Sequence, residues 1–177
     1  MSGRPDGARS IDEILASARG RIDRLTPDQA FAEFCAGATM IDIRPAAQRA
    51  EQGEIPGSVV IERNHLEWRL DPASDARLPW ADRYDLRPIV ICNEGYTSSL
   101  AAAALQDLGL HRATDLAGGF RAWQQAGLPV TRGCQDLVDR ARPSGSAVHQ
   151  SPAPSVPATA RPPEVTLYLV IDDSGGE

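Results

Sequence analysis

Two kinds of apolar pattern divide the chain. Near its start, Ser10-Ile-Asp-Glu13 has the form of a capping box, and Ile11, Ile14, Leu15 and Ala18 follow at helical spacing, which predicts a short helix. Thr26-Pro27 opens a second helix, with threonine as cap and proline in the first turn. Its apolar positions are Ala30, Phe31 and Phe34, and Gly37 ends it. The period then changes. Thr39 to Ile43, Ser58 to Ile61 and Pro88 to Cys92 are short apolar runs rich in β-branched residues, without polar alternation. Such runs predict strands buried on both faces, as in a parallel sheet. Thr97 to Leu108 is alanine-rich and helix-forming and stops at Gly109; Ala113 to Leu116 is a weaker strand; Gly119 to Ala126 is a further helix, ended by Gly127. Strands alternating with helices from about residue 38 to 130 predict an α/β fold with a central parallel sheet, flanked by helices and joined by right-handed crossovers.

Beyond this core the pattern thins. Residues 1–20 read as an N-terminal extension carrying the first short helix, and residues 21–134 as the folded domain. Residues 135–163 read as a disordered linker, since Arg142 to Pro163 is dominated by proline, serine and alanine and has little to bury. Residues 164–177 form a tail in which Val165, Leu167, Leu169 and Ile171 alternate as in a short strand. The final Gly175-Gly176-Glu177 ends one residue past a double glycine and reads as a flexible polar terminus.

Composition narrows the function classes. The chain has 177 residues and a net charge of −6, and all 18 basic side chains are arginine. An acidic chain without a basic block is a poor nucleic-acid binder. No apolar run is long enough for a membrane span, and the polar first residues lack the apolar core of a signal peptide. The cysteines are Cys35, Cys92 and Cys134, an odd number with no C-x-x-C pair, which argues against a disulfide framework and a clustered zinc site. A reducing, cytoplasmic setting is expected, with free thiols. Cys35, following Phe34 on its helix, is expected in or near the core, and Cys134 just past the domain, where it could serve as a resolving thiol.

Cys92 carries the chemistry. A buried strand delivers it to its carboxyl end, a loop with Gly95 follows, and a helix begins near Thr97 under a hydroxyl cap. Ligands bind at the carboxyl ends of strands in open α/β sheets. There the cysteine faces a helix N-terminus and free backbone N–H groups, which stabilise an anion and favour a nucleophilic thiolate. Small residues (Gly95, Thr97, Ser98, Ser99) let the loop curl and aim several amides at one point. The same cradle could hold a persulfide. The competing reading is a small buried hydrophobe, the usual role of an isolated cysteine.

The chain resembles the rhodanese family of sulfurtransferases. The matching pieces, in order, are Leu25-Thr-Pro27, Ile41-Asp-Ile-Arg44, Gly53-Glu-Ile-Pro-Gly57, Cys92-Asn-Glu-Gly-Tyr-Thr-Ser98, Gly118-Gly-Phe-Arg-Ala-Trp123 and Gly127-Leu-Pro-Val130, spanning about residues 22–132. The resemblance implies a rhodanese-like fold. It also implies a sulfurtransferase in which Cys92 takes a sulfane sulfur from thiosulfate or a similar donor and passes it to a thiophilic acceptor, cyanide or a thiol. A sulfur-accepting protein is a further candidate acceptor. No metal or organic cofactor is needed, because sulfur is itself the carried group. The loop residues Asn93, Glu94, Gly95, Tyr96, Thr97 and Ser98 are the expected substrate-binding set, with Arg44 and Arg63 as candidate cations at its mouth. Related phosphatases carry an arginine six positions after the cysteine to grip phosphate, where this chain has Ser98. The alternative function is a non-catalytic rhodanese module for protein interaction or regulation, against which the cysteine at position 92 argues.

Four expectations concern the surroundings. Glu94 places a negative charge that repels a small dianion unless Arg44, Arg63 or Arg121 offsets it. Asp42 and Arg44 are expected to form an ion pair supporting the loop. Trp123 is expected in the core, and His65 at the surface or a helix cap.

Overall fold

The computed structural model describes residues 3–131. The expected linker at 135–163, the tail at 164–177, the terminal double glycine and Cys134 lie outside the described residues.

Four parallel strands, β1 (Thr39–Asp42), β2 (Val59–Val60), β3 (Pro88–Ile91) and β4 (Thr114–Asp115), form one sheet in the order β2-β1-β3-β4. Successive side chains point to opposite faces, and each face has its own core. Ile41, Ile43 and Val90 join Leu66, Leu70, Ala101, Ala102 and Leu105 on one side. Met40, Ile89 and Ile91 join Ala30, Leu116, Phe120 and Trp123 on the other. This double burial is why the β1 and β3 runs lack polar alternation. The run at Ser58–Ile61 departs from the expectation: β2 is a two-residue strand at the sheet edge, with Val59 half-buried and Val60 exposed.

The helices are α1 (Ile11–Arg19), α2 (Pro27–Cys35), α3 (Ala46–Gln52), α4 (Leu66–Leu70), α5 (Thr97–Asp107) and α6 (Gly119–Gln125), with a 3-10 turn at Arg63–His65. Both early helices start in complete capping boxes: Ser10 with Glu13, and Thr26 with Gln29. α4 and α5 lie on the first face, and α1 packs on α5 through Leu15 and Ala18. α2 and α6 lie on the second face, where Phe31 meets Trp123 edge-on at 5.9 Å. Trp123 is buried, as its spacing predicts, and its indole N–H donates to the Pro129 carbonyl at 2.9 Å.

Cys35 departs from expectation and is exposed. Ala30 is the buried residue of α2, with Phe31 and Phe34 partly covered; the next position turns Cys35 to solvent. His65 is exposed at the N-cap of α4.

The strand order places the site. The chain runs from β1 outward to β2, then returns across β1 to start β3 on its other side. The connections after β1 and β3 therefore leave the sheet in opposite directions. The crevice between their carboxyl ends is where open α/β sheets bind ligands.

Candidate active site

Cys92 stands immediately after β3, in that crevice. A cavity of about 510 Å³ opens there, lined by Ile43, Arg44, Pro45 and Gln48 from the connection after β1, by Arg63, and by Cys92, Asn93, Glu94, Tyr96 and Thr97.

The loop from Cys92 to Ser98 turns two of its amides onto the sulfur and ties three of its carbonyls away from it. The Gly95 and Ser98 N–H groups donate to the Cys92 Sγ at 3.1 and 3.4 Å. The carbonyls are engaged elsewhere. Those of Cys92 and Asn93 accept from the first amides of α6, Phe120 at 2.9 Å and Arg121 at 3.1 Å. That of Gly95 accepts from Arg19 Nη2 at 2.8 Å and Arg24 Nη2 at 2.9 Å, and lies 3.1 Å from Ser99 Oγ, whose single proton it shares with Asp115. A sulfur anion in the cup thus meets N–H donors and the N-terminal end of α5 without facing those carbonyl oxygens.

Two glycines make this geometry accessible. Gly95 has φ +76°, and a Cβ there would lie 2.7 Å from the Gly118 nitrogen. Gly119 has φ +61°, and its Cβ would lie 2.5 Å from the Cys92 carbonyl oxygen. Side chains are strained at both dihedrals and would push the loop off α6.

The hydroxyl cap predicted for α5 is not formed. Its N-cap is Tyr96, no side chain caps it, and the Cys92 sulfur accepts the Ser98 amide instead. Thr97, the expected cap, is exposed at the cavity wall. The Cys92 sulfur itself is the cap acceptor.

Arg44, expected at the mouth, is buried. Its guanidinium bonds Asp42 at 2.6 to 3.1 Å, the Gly53 carbonyl at 2.8 Å and Gln52 Oε1 at 3.2 Å, and lies 3.5 Å above the Phe120 ring. It borders the cavity but its donors are committed, in keeping with a supporting ion pair. Arg63 also lines the cavity and pairs with Glu67 at 2.7 Å. Glu94 is offset by Arg121 at 2.5 Å. Tyr96 is exposed, with the Arg19 guanidinium 5.2 Å from its ring centre. Asn93 contributes a buried Oδ1 that has no hydrogen-bond partner. Gly95 and Ser98 are buried behind the cavity wall.

The loop sequence does not announce Arg19, Arg24, Ser99 and Asp115. Asp115, fully buried at the end of β4, accepts from Ser98 Oγ at 2.9 Å, from Ser99 Oγ at 2.8 Å and from Arg24 Nε at 2.8 Å. Arg24 arrives there because Leu25 pairs with the sheet edge, its N–H to the Asp115 carbonyl at 3.0 Å and its carbonyl from Ala117 N at 2.8 Å. The capping box marks only where α2 begins; the bridge itself has no local signature.

The Rhodanese-like domain family matches residues 26–126. The chain belongs to the rhodanese-like domain family. Among curated proteins it is 36% identical over 101 residues to the thiosulfate sulfurtransferase GlpE of Stutzerimonas stutzeri, covering 57% of this chain and 84% of that one. It is 33% identical over 91 residues to a sulfurtransferase of Allochromatium vinosum, covering 51% and 76%. Among solved structures, a Rhodopseudomonas palustris protein of unknown function, described as a possible tyrosine phosphatase, is 34% identical with a TM-score of 0.65, covering 73% of this chain and all of that one. The rhodanese-like fold expected from the motifs is thereby established, and the chain falls within a sulfurtransferase family.

Proposed function

We propose that this chain is a sulfurtransferase that carries sulfane sulfur as a Cys92 persulfide. The observation that carries the reading is the turn of the Gly95 and Ser98 amides onto the Cys92 sulfur, with the Cys92, Asn93 and Gly95 carbonyls tied back. Cys92, as the thiolate once its proton has passed to solvent, attacks the sulfane sulfur of thiosulfate or a similar donor; the S–S bond to the enzyme forms as the donor's own bond breaks, and the leaving group departs with that electron pair. The outer persulfide sulfur then holds a negative charge among N–H donors. A thiol or cyanide acceptor bonds that sulfur and returns the electron pair to Cys92. The GlpE relatives named thiosulfate sulfurtransferase support this donor class. The pairing of Glu94 with Arg121 removes much of the repulsion that a lone carboxylate would exert on a dianion. The reducing, cytoplasmic setting expected from the cysteines suits a free thiol nucleophile.

Phosphoryl chemistry fits less well. Position 98 holds a buried serine bonded to Cys92 and Asp115, where phosphate would need a guanidinium fork.

The test is the intact mass of the reduced protein before and after thiosulfate, with peptide mapping. Wild type gains one sulfur atom on the Cys92 peptide, and cyanide removes it. Cys92→Ser gains none, while Cys35→Ser behaves as wild type. A Cys92→Ser chain that still transferred sulfur would overturn the mechanism, and a folded wild type with an alkylatable Cys92 that never loads would exclude thiosulfate as donor.

A further inference from the structure

One polar side chain, Ser98, links the Cys92 sulfur to a charge buried at the far side of the loop. The Cys92 thiol donates to Ser98 Oγ at 3.2 Å, and Ser98 Oγ donates to Asp115 Oδ2 at 2.9 Å. Ser98 and Asp115 are each 0% exposed. Arg24 holds the carboxylate with two bonds, Nε to Oδ1 at 2.8 Å and Nη2 to Oδ2 at 3.1 Å. A carboxylate in such a fork accepts only. The single hydroxyl proton of Ser98 is therefore committed to Asp115, and toward the sulfur Ser98 can offer only a lone pair.

We propose that Asp115 is a positioning residue that acts through Ser98: it fixes the hydroxyl as an acceptor at the Cys92 sulfur, so that an uncharged sulfur is favoured at that position. The inference rests on Cys92 being the nucleophile. Two amides favour an anion on Sγ and the Ser98 lone pair opposes it, so the resting thiol keeps its proton more readily than the amide cup alone would allow. In the persulfide, Sγ is the bridging sulfur and carries no charge, while the charge sits one atom further out. The Ser98–Asp115 pair thus favours the loaded enzyme over the free thiolate, and opposes the acceptor step, in which the S–S bond breaks and its electron pair returns to Sγ.

The charged groups around the sulfur are Arg19 and Arg24 from the N-terminal segment, Asp115 from β4, Glu94 paired with Arg121 on α6, Asp42 with Arg44 after β1, and Arg63 with Glu67. The hydrogen-bond partners of Sγ among the described residues are Ser98 Oγ, Gly95 N and Ser98 N. Asp115 thus reaches the sulfur through the hydroxyl.

The decisive experiment is the pH profile of Cys92 alkylation by iodoacetamide in the full chain, compared with Asp115→Asn, Ser98→Ala and the double variant. An asparagine amide donates to Ser98 and frees its hydroxyl to turn toward the sulfur; an alanine removes the acceptor altogether. Both single variants should move the profile toward acid, giving about tenfold faster alkylation on its acid limb, corresponding to about 1.4 kcal/mol in favour of the anion. The double variant should add less than twofold to Ser98→Ala. A purely structural role for Asp115 would scale the rates without moving the profile. An unmoved profile in Asp115→Asn overturns the proposal, as does an equal shift with Ser98 absent, since that would be a direct field effect. Asp115→Ser is the second variant should asparagine not be accommodated at this buried site, with the same expected direction and the same contrary result. Alkylation needs no sulfur donor, so failure of the sulfurtransferase reading would show in the mass experiment and leave this one decisive.

Discussion

Asp42 and Arg44 are two residues apart, and both side chains have 0% relative exposure. The carboxylate accepts Nε and Nη2 of the guanidinium and also the Arg44 backbone N–H at 3.0 Å, so it fixes the turn that leaves β1. Ile43, Arg44 and Pro45 of that turn wall the cavity opposite Cys92. The pair therefore serves the site by shaping one wall. Removing one partner strands the other charge without solvent, which costs far more than a surface pair. Asp42→Ala should lose about 3–5 kcal/mol in urea unfolding. A loss below about 1 kcal/mol, the value of an exposed pair, would mean that the guanidinium finds water and that the wall is not held this way.

At the scale of elements, the N-terminal helix changes its meaning between sequence and structure. Read from its pattern, α1 is a short amphipathic helix outside the family match, and residues 1–20 look like an extension. In the fold it packs on α5 and sends Arg19 onto the Gly95 carbonyl. Arg19→Ala should loosen the loop while sparing the sheet. Arg24 and Ser99 still hold the same oxygen, so one shared bond is lost, about 1 kcal/mol. Hydrogen exchange of the loop amides from 93 to 98 should then quicken about fivefold, with β1 and β3 unchanged. Unchanged loop exchange would mean that Arg19 only shields Tyr96. What was legible in the sequence follows from the range of the signals. β1, β3, α1, α2, α5 and α6 announce themselves through β-branched runs, caps and glycine stops, all local. α3 follows Pro45 without a side-chain cap and buries nothing, and α4 is a short helix after a 3-10 turn, so neither carries a periodic signal. The loop from Cys92 to Ser98 was legible because it is contiguous. Arg24 and Asp115 were not, since they are 91 residues apart and meet only through the bridge of Leu25 to Leu116.

Across the whole molecule, the two ends of the parallel sheet carry different burdens. The carboxyl ends hold the cavity and Cys92. At the amino ends, Arg87, just before β3, forks onto Glu33 of α2 at 2.7 and 3.0 Å. That guanidinium holds the Glu33 carboxyl below its ordinary value of 4.5. Glu13, through the Ser10 backbone N–H, and Asp107, through Arg21, are held low in the same sense. A carboxyl whose folded value is depressed adds stability above its unfolded value, and that contribution is lost as pH falls through the folded one. Stability should therefore be level from about pH 6 to 8 and fall as the pH drops below about 4.5. Arg87→Gln should be less stable at neutral pH and show a shallower acid decline, because Glu33 then loses the largest cause of its depression. Sulfur loading at Cys92 should be unchanged in the folded Arg87→Gln chain, since the pair sits at the opposite end of β3. Urea unfolding followed from pH 7 to pH 3, beside sulfur uptake at pH 7, separates the two burdens. An Arg87→Gln chain whose acid decline matched wild type would place the acid sensitivity in other carboxylates, and one that also lost sulfur uptake would mean that the two ends of β3 are coupled.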